Sequence, residues 1–274
     1  MIRISGLSHG TNVWKGNAQD LISKYKKQLK EVIACREDIL FFLTQHKVDF
    51  VSAFLTTESI RKGNGIPDKY LPVLEQHKVP QWFIQSCYSI KYLFPKAHAT
   101  AYVIDALRTA WYKVYKPTEF YAAFFTVRTK EDFDLETIVA GKIAVLNKFN
   151  ELKERKKIKY GEKALNNKEM ELFPIYEICL EMFARGIILE NVNLQKSAAT
   201  EFLVEGNKII PPFTAINGLG VEVANSIVNE RAKKPFSSIF DLTKRTKINS
   251  AIMKTMKQLH ITDDLRQDEQ LTLF

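Results

Sequence analysis

Apolar residues along most of the chain recur at spacings of three and four, which is the period of an amphipathic α-helix. The pattern is clearest after Phe94, where a long helix is predicted from the series Ala101, Ile104, Leu107, Trp111 and Val114. Similar series predict helices over residues 17–33, 36–55, 80–93 and 139–159, and Pro117 stands where a further helix would begin. Because almost nothing before residue 190 alternates with period two, this part of the chain is predicted to be nearly all α.

Glycine-rich stretches interrupt the helical pattern at two places. The first thirteen residues are rich in Gly and Ser and are predicted to form a loop. The segment RKGNGIP (61–67) is predicted to form a basic turn, because two glycines and a proline follow two cations.

The character of the chain changes at residues 199–213. Two runs of β-forming residues flank Gly206-Asn207, which predicts a β-hairpin, and two prolines follow. We therefore predict a mainly α fold in three parts: a helical domain over 1–198, the β-hairpin with short helices over 199–262, and a polar tail over 263–274.

The formal net charge of +9 over 274 residues favours a polyanionic partner, with nucleic acid before an anionic membrane. Solvated surface lysines are the alternative explanation. The three cysteines, Cys35, Cys87 and Cys179, form no CxxC pair, which favours a reducing compartment. Because no apolar run approaches the length of a membrane span and the N-terminus lacks a signal-peptide pattern, we predict a cytoplasmic protein with no membrane partner.

Residues 142–168 hold nine lysines and arginines against three glutamates. The usual interpretation of such a stretch is a solvated helix face. The alternative is a stripe of cations that follows a phosphate backbone.

The most specific motif is INGLGVEVANSIVNER (216–231), in which the turn NGLG directly precedes a helix. Gly218 and Gly220 permit positive φ, and a tight glycine turn at a helix start directs free N–H groups towards one point, which suits a phosphate oxygen. The motif is typical of the helix-hairpin-helix, which binds DNA backbone without reading sequence. An ordinary turn between two helices is the alternative, but Leu219 between the glycines and Ala224 at the close-packing position favour DNA binding.

Three shorter motifs place cations beside glycine or at a helix start. FPKAHATAY (94–102) puts Lys96 and His98 at the beginning of the long helix, where cations oppose the helix dipole unless an anion such as a triphosphate binds there. The two side chains would then hold phosphate oxygens or protonate a leaving pyrophosphate. The other two motifs are RISGLSHGT, with Arg3, Ser5 and His9, and RKG, with Arg61 and Lys62. A surface lysine and a histidine at the edge of the core are the alternative interpretation of FPKAH.

Other chemistries have little support in the sequence. Neither glycine-rich motif matches the phosphate-binding pattern GxxxxGK[ST], and no GxSxG elbow of a serine hydrolase is present. The five histidines have no metal-ligand spacing. We therefore predict no catalytic residue and no metal site in this chain.

The last residues, QLTLF, follow the polar stretch DDLRQDE. A free terminus with a glutamine and then apolar residues suits docking as an extended peptide into a hydrophobic groove of a partner. A frayed apolar end, or one folded back onto the core, is the alternative.

Taken in order, RISGLSHGT, CRED, RKG, FPKAHATAY, FDLE, ATEF, PPFTAINGLG and QLTLF closely resemble the C-terminal region of the PolC-type DNA polymerase III family, which replicates the chromosome in low-GC bacteria. The resemblance runs from residue 2 to residue 274. It implies that residues 1–198 contain much of the polymerase fingers. It also implies that residues 199–262 form tandem helix-hairpin-helix elements on the primer–template duplex, with residues 236–259 as a degenerate second copy.

The resemblance implies a role for each group of candidate residues. Around the triphosphate or base of the incoming dNTP it puts Arg3, Ser5, His9, Arg61, Lys62, Lys96 and His98. On the backbone of double-stranded DNA it puts Gly218, Leu219 and Gly220. Against the sliding clamp it puts Gln270, Leu271, Leu273 and Phe274.

In that family the catalytic aspartates, which hold two Mg²⁺ ions, lie in a palm upstream of this region. The chain is therefore expected to be a polymerase fragment that binds no cofactor itself and is inactive alone in nucleotidyl transfer. Whether an upstream polypeptide that carries the palm completes it stays open. Two alternatives stay open: a non-catalytic helix-hairpin-helix module that binds DNA and the clamp, and the product of a degraded gene.

Overall fold

The computed structural model of the chain describes residues 1–129, 133–158, 161 and 164–267. Over these residues the fold is mainly α, as predicted, with fourteen α-helices and one three-stranded sheet. The chain divides into two compact units, Met1–Ala110 and Trp111–Phe274, and each contains its own cluster of buried apolar residues. No helix within the described residues is both long and apolar enough to cross a bilayer.

The first unit contains a π-helical turn at Trp14–Ala18 and seven α-helices in chain order. They are α1 (Ile2–His9), α2 (Gln19–Ser23), α3 (Arg36–Gln45), α4 (Phe50–Arg61), α5 (Leu71–Gln76), α6 (Gln81–Ser89) and α7 (Lys96–Tyr115), of which the last belongs to this unit as far as Ala110.

The prediction of a loop over the first thirteen residues was wrong, because residues 2–9 form α1. Gly6 lies within this helix, where an added Cβ would come within 2.5 Å of both the Ala34 carbonyl oxygen and the Cys35 sulfur. Glycine costs a helix about 1 kcal/mol relative to alanine. Burial of Leu7 and a close approach that only glycine permits outweigh this low propensity.

The helix predicted over residues 17–33 is reduced to the five residues of α2. Beyond it, Lys26 has a φ of +57°, which ends any helix, and the Glu31 carboxylate accepts the backbone N–H of Gln28 at 2.7 Å. Local bonds of this kind between side chain and backbone compete with helical hydrogen bonds.

The helix predicted over residues 36–55 is divided into α3 and α4. Lys47 adopts a φ of +64° between them. Asp49 then caps α4, because its carboxylate accepts the backbone N–H of Ser52 at 2.9 Å. The apolar period continues through this break, so spacing alone could not reveal it.

The second unit contains the remaining helices and the sheet. They are α8 (Pro117–Arg128), α9 (Leu135–Val139), α10 (Lys142–Arg155), α11 (Asn167–Ala184), β1 (Ile188–Leu189), β2 (Leu203–Glu205), β3 (Lys208–Ile210), α12 (Val221–Lys233), α13 (Ile239–Arg245) and α14 (Ser250–Gln258), with a 3₁₀ turn at Phe213–Ala215. The predicted helix start at Pro117 is confirmed.

The sheet confirms the predicted β-hairpin. β2 and β3 are antiparallel, with Val204 opposite Ile209, and Gly206 in the turn has a φ of +64°. β3 also pairs in parallel with β1, which precedes residue 199 in the chain. The change of character at residue 199 therefore lies inside one sheet of the second unit.

The helix predicted over residues 139–159 begins instead at Lys142, because Gly141 separates α9 from α10 with a φ of +96°. This helix is predicted from the apolar series Val139, Ile143, Leu146 and Phe149. Its buried positions are instead Val145 and Leu152, and Ile143 is 77% exposed. The face shifts because the apolar series of the sequence runs across the break between two helices.

Candidate functional site

The three motifs that carry the predicted nucleotide-binding residues meet in the first unit around the segment 91–96. Thr11, after α1, pairs with Tyr92 through its backbone N–H, which donates to the Tyr92 carbonyl at 3.0 Å. The carbonyl of Arg61, at the end of α4, accepts the N–H of Leu93 at 3.5 Å. RISGLSHGT, RKG and the segment that leads into FPKAH are thus brought together in the first unit.

The glycine of RKG serves this assembly. Gly63 has a φ of +81°, and an added Cβ would lie 2.5 Å from the carbonyl oxygen of Lys91. Only glycine combines the left-handed backbone with such a close approach. The glycine therefore explains how the 91–96 segment packs, and a phosphate is not needed to account for it.

Two of the predicted cations are held by carboxylates. Arg3 donates to both oxygens of Asp38 at 3.2 and 3.3 Å and to the Val32 carbonyl at 2.8 Å. Arg61 donates to the two oxygens of Glu58, with its shortest bond at 2.9 Å. The bond from Arg61 is the main cause that holds the pKa of Glu58 below its usual value. A bound anion would have to share these arginines with their carboxylates.

Lys62 and Lys96 are the available cations of the set. Both side chains are exposed and make no hydrogen bond or ion pair within the described residues. Lys96 begins α7, and its backbone N–H donates to the Glu37 carboxylate at 2.8 Å. That bond, with the contact from Arg36, outweighs burial and lowers the pKa of Glu37. The start of α7 therefore already holds one carboxylate, and the Lys96 ammonium remains open to a second anion.

His9 and His98 belong to an aromatic cluster at the start of α7. The His9 ring stacks on Phe94 and Tyr102 with centroid distances of 5.0 and 5.4 Å, and His98 meets Phe94 edge-on at 5.9 Å. The Nδ1 of His9 lies 2.7 Å from the Ser5 carbonyl, which can only accept, so Nδ1 carries the proton. The opposite nitrogen, Nε2, is then an acceptor when the ring is neutral.

Ser5, His9 and Tyr102 line a cleft of ≈ 370 Å³ between α1 and α7. The hydroxyl of Ser5 is buried and has no hydrogen-bond partner within the described residues. A buried polar group without a partner is costly and marks a place where a ligand group or water would bind. Tyr102 was missed in the sequence, although its position four residues after His98 places both on one helix face.

Cys35 lies beside this cluster but is not a nucleophile. Burial raises the pKa of its thiol to about 11, and Asp38 and Glu37 act in the same direction. The thiol is therefore protonated near neutral pH, and a protonated thiol is a weak nucleophile.

In the second unit the predicted DNA-binding turn lies between the 3₁₀ turn and α12. Leu219 is buried, and its N–H donates to the Ile216 carbonyl at 3.0 Å. Gly218 is exposed with a φ of +80°, and nothing lies within 4 Å of its added Cβ. Gly220 is also open but has a φ of −74°, so the expectation that both glycines serve positive φ holds only for Gly218.

Gly220 is the N-cap of α12, and no side chain caps this helix. The first hydrogen bond of the helix runs from the Ala224 N–H to the Gly220 carbonyl at 3.0 Å. The N–H groups of Val221, Glu222 and Val223 therefore have no backbone partner within the described residues. Free N–H groups beside two side-chain-free residues form a surface that a phosphate can approach closely.

The stretch predicted as a degenerate second copy, residues 236–259, contains α13 and α14, and its helix start differs. Asn249 caps α14, because its side-chain oxygen accepts the Ile252 N–H at 2.9 Å. The two copies are joined by Arg245, which donates to the carbonyls of Glu230 at 2.5 Å and Lys234 at 2.8 Å. The start of α12 is thus the more open of the two.

Charges around α12 are partly neutralised. Lys247, from the second copy, forms an ion pair with Glu222 in the first turn of α12. This contact lowers the pKa of Glu222 and offsets the one carboxylate that would repel a phosphate. Both side chains are exposed, so the pair is screened and can rearrange when an anion binds.

The basic helix α10 offers fewer available cations than its composition suggested. Lys148 pairs with Glu151 at 2.9 Å, and Lys157 pairs with Glu154 at 2.6 Å. Arg155 donates to Glu169 with bonds of 2.5 and 2.7 Å. These contacts favour the interpretation of a solvated, internally paired face.

The predicted clamp-binding residues Gln270, Leu271, Leu273 and Phe274 lie outside the described residues. Within the described part of the chain, no group of three or more His, Cys, Asp or Glu side chains could hold a metal ion. The described residues therefore offer no ligand set for a Mg²⁺ ion.

Comparison with known proteins agrees with the motifs. The family described as "Helix-hairpin-helix motif" matches residues 186–271, which include the sheet and α12 to α14. Proteins described as "DNA polymerase III PolC-type" match all of this chain: that of Ureaplasma parvum serovar 3 is 49% identical over 276 residues, that of Pediococcus pentosaceus is 43% identical over 274 residues and that of Caldanaerobacter subterraneus is 42% identical over 274 residues.

The chain spans 19% of the length of these three relatives. The identity is high and covers every residue of the chain, and the motif family falls on the part where the open hairpin lies. The chain is therefore related, along its whole length, to one region of the PolC-type DNA polymerase III family, consistent with the C-terminal region that its motifs indicate.

Proposed function

We propose that this chain is the part of a replicative DNA polymerase that holds the primer–template duplex and the incoming dNTP. Template-directed nucleotidyl transfer then belongs to the complete enzyme, whose palm would supply the catalytic carboxylates. The observation that carries the proposal is the open start of α12, where two exposed glycines flank buried Leu219 and no side chain caps the helix.

The hairpin would bind the DNA backbone through its own backbone. The free N–H groups of Val221, Glu222 and Val223 can donate hydrogen bonds to the oxygens of one phosphate group. The positive end of the helix dipole adds to the attraction. Because Gly218 and Gly220 have open space where a Cβ would stand, the phosphate can come close. Such contacts read no bases, so duplex binding is expected without sequence preference.

The first unit would bind the dNTP. Lys96 and Lys62 supply uncompensated charge, while Arg3 and Arg61 stay partly occupied by Asp38 and Glu58. Ser5, His9 and His98 would contact the triphosphate or the base from the cleft beside α7. The cleft and the cations lie in the same unit, so one dNTP could contact both.

The remaining partners follow from the family. We propose that Gln270, Leu271, Leu273 and Phe274 bind the sliding clamp, and that the protein works in the cytoplasm, where its buried cysteines stay reduced. The clamp contact and the duplex contact would then act on the same DNA.

The hairpin is tested with labelled duplex DNA and fluorescence anisotropy. Gly220→Ala introduces no backbone strain and meets no neighbour. Because alanine is a poorer N-cap than glycine, the substitution should cost the fold at most about 1 kcal/mol. It should weaken duplex binding by roughly 1–2 kcal/mol, because the new methyl group holds the phosphate away from the backbone N–H groups. Affinity should also fall with salt at a slope of about −0.9 per neutralised phosphate.

Gly218→Ala should have two effects: it strains the backbone, and its methyl group keeps the phosphate at a distance. It therefore needs a control that measures the strain alone. Gly206→Ala is that control, because Gly206 also has a left-handed backbone with open space around it but lies in the β-hairpin turn. Both variants should lose similar stability, and only Gly218→Ala should lose DNA affinity. Unchanged duplex affinity in Gly220→Ala and Gly218→Ala would remove the hairpin from the proposal.

A further inference from the structure

The first unit has a second cleft that the proposed function leaves unused. It measures ≈ 580 Å³ and is lined by Ile4, Leu7, Ser8, Gly10, Asn12, Trp14, Lys15 and Leu29. The apolar lining is open to solvent: Trp14 is 43% exposed and Ile4 is 58% exposed. An open apolar cleft with an accessible indole ring is suited to bind a flat apolar group.

One lysine lines this cleft, and a second follows a lining residue in the chain. Lys15 lines it, and Lys30 follows Leu29 of the lining. Neither side chain makes a hydrogen bond or ion pair within the described residues. From Trp14 to Glu31 the chain holds five lysines and two acidic residues, a surplus of three positive charges.

The two acids are already engaged. Asp20 pairs with Lys24 at 3.1 Å and Glu31 pairs with Lys27 at 3.5 Å. Lys27 also lies over the Trp82 ring at 4.7 Å, which keeps its charge close to the protein. Three lysines therefore have no carboxylate partner: Lys15 in the lining, Lys30 at its border, and Lys26, which donates to the Ser23 carbonyl at 3.1 Å. The local charge favours an anionic ligand.

The chemistry distinguishes nucleic acid from a protein ligand. Lysine is depleted from protein–protein interfaces, whereas single-strand binding combines a positive groove with aromatic rings on which bases stack. Duplex DNA offers no free base face, so an apolar cleft beside Trp14 suits a base that is not paired. Tyr25, 70% exposed in the same lysine-rich turn, offers a second accessible ring.

We propose that this cleft binds one unpaired base of a single-stranded nucleic acid, with Trp14 stacking on the base and Lys15 and Lys30 contacting the flanking phosphates. The inference goes beyond the proposed duplex and dNTP sites and depends on neither of them. Because α1 carries Ser8 at this cleft and Ser5 at the cleft beside α7, a strand bound here would lie close to the proposed nucleotide site.

The test uses the intact chain and a labelled oligothymidine of about twenty nucleotides. Binding should quench part of the tryptophan fluorescence, and Trp14→Ala should abolish that quenching and weaken binding roughly 5- to 150-fold, the range expected for one stacked base. Trp111→Ala is the matched control, since Trp111 is also about half exposed but belongs to the second unit. Equal affinity in the two variants would overturn the proposal.

A charge variant keeps the test decisive if Trp14→Ala folds poorly. The double substitution Lys15→Glu and Lys30→Glu should lower oligothymidine affinity and reduce the salt slope by about 0.7 for each phosphate that is no longer neutralised. Lys69→Glu, an exposed lysine elsewhere in the unit, should have little effect. An unchanged salt slope in the double variant would count against the site.

Gly220→Ala separates this inference from the hairpin. It should weaken duplex binding while the quenching of Trp14 by oligothymidine persists. The hairpin and the cleft can therefore be tested separately, and either proposal can fail without the other. Quenching by an uncharged apolar peptide with no quenching by oligothymidine would show a protein-binding cleft and refute the assignment.

Discussion

The backbone N–H of Thr11 donates a hydrogen bond of 3.0 Å to the carbonyl oxygen of Tyr92, and the Thr11 carbonyl accepts the N–H of Lys91 at 3.1 Å. This short pairing joins two motifs that are far apart in the sequence. It uses only backbone groups, so the frame of the candidate nucleotide site does not depend on its exposed side chains. Substitutions of those side chains should therefore change charge and contacts without changing the fold.

Lys96 is an exposed side chain of this site that can be replaced without disturbing the backbone pairing. In a complete PolC-type polymerase that carries this region, Lys96→Ala should raise the KM for dNTP or lower kcat by at least tenfold, because an uncompensated ammonium at the start of α7 is removed. The affinity for primer–template should change little. Steady-state extension kinetics with separate titrations of dNTP and DNA measure both.

Lys69→Ala is a suitable control, since it removes an exposed lysine of the same unit that lies over the Tyr70 ring. It should leave both parameters near those of the parent enzyme. A large loss of DNA affinity in Lys96→Ala, with normal dNTP kinetics, would reassign Lys96 to the DNA backbone.

Gly6 provides a prediction about stability in which two effects oppose each other. Glycine to alanine inside a helix ordinarily stabilises by about 1 kcal/mol. At Gly6 the new Cβ would meet the Ala34 carbonyl at 2.5 Å, so the helix must shift. Overpacking of this kind costs about 1–3 kcal/mol, and Gly6→Ala should therefore lower the free energy of unfolding.

Ser8→Ala tests the same helix without the clash, because Ser8 is exposed. Denaturant unfolding of the two variants should move in different directions or by clearly different amounts. If Gly6→Ala stabilises the chain as much as an ordinary helical substitution, the close packing of α1 against residue 34 is wrong.

Sequence periodicity predicted the elements that are long and locally determined. It found α7 and the β-hairpin at Gly206, since a sustained apolar period and a Gly-Asn turn are local signals. It missed α1, because the reason for glycine there is the carbonyl of Ala34, which lies far along the chain. The spacing of apolar residues along the chain does not reveal contacts between residues that are distant in the sequence.

The candidate sites show the same division. Motifs identified the residues, but not which charges are available: Arg3 and Arg61 are held by Asp38 and Glu58, whereas Lys96 is open. Likewise NGLG marked both glycines of the hairpin, while only Gly218 needs a positive φ. Pairing and backbone angle depend on the folded neighbours, so the sequence could name these residues without ranking them.

Asp241 should make the stability of the fold depend on pH. Its carboxylate accepts the Ser237 N–H at 3.1 Å and a bond from Arg245 at 3.0 Å. Burial opposes its charge, yet these two contacts prevail and lower the pKa of Asp241 below the ordinary 3.8. A lowered pKa stabilises the fold above pH 3.8, and that stability is lost as the pH falls below 3.8 towards the folded value.

Asp241→Asn should therefore destabilise the chain at pH 6 and should flatten the loss of stability with acid. Denaturant unfolding between pH 6 and pH 3 measures this difference. Asp264→Asn is the control, because Asp264 is exposed and makes no hydrogen bond or ion pair within the described residues. Parallel curves for Asp241→Asn and the parent chain would exclude a stabilising role for this carboxylate.

The last prediction concerns the tail, which lies outside the described residues and rests on the sequence and the family. QLTLF should bind the bacterial sliding clamp as an extended peptide, with Leu273 and Phe274 in an apolar groove and Gln270 fixing the register. Burial of two such side chains contributes about 1.5–3 kcal/mol each before ordering costs, which favours a micromolar contact.

Calorimetric titration of the clamp should show binding by the intact chain and none by a chain that lacks residues 270–274. A chain with Leu273→Ala and Phe274→Ala keeps the length and the terminal carboxylate, so it separates the apolar contact from a general effect of truncation. On DNA that the clamp encircles, the hairpin at Gly218 and Gly220 would hold the same duplex, and the apparent affinity should rise because the second contact becomes intramolecular. Gly220→Ala should remove that gain without changing the micromolar contact in the absence of DNA. Equal clamp binding by the intact and shortened chains would withdraw the assignment of the tail while leaving the hairpin untouched.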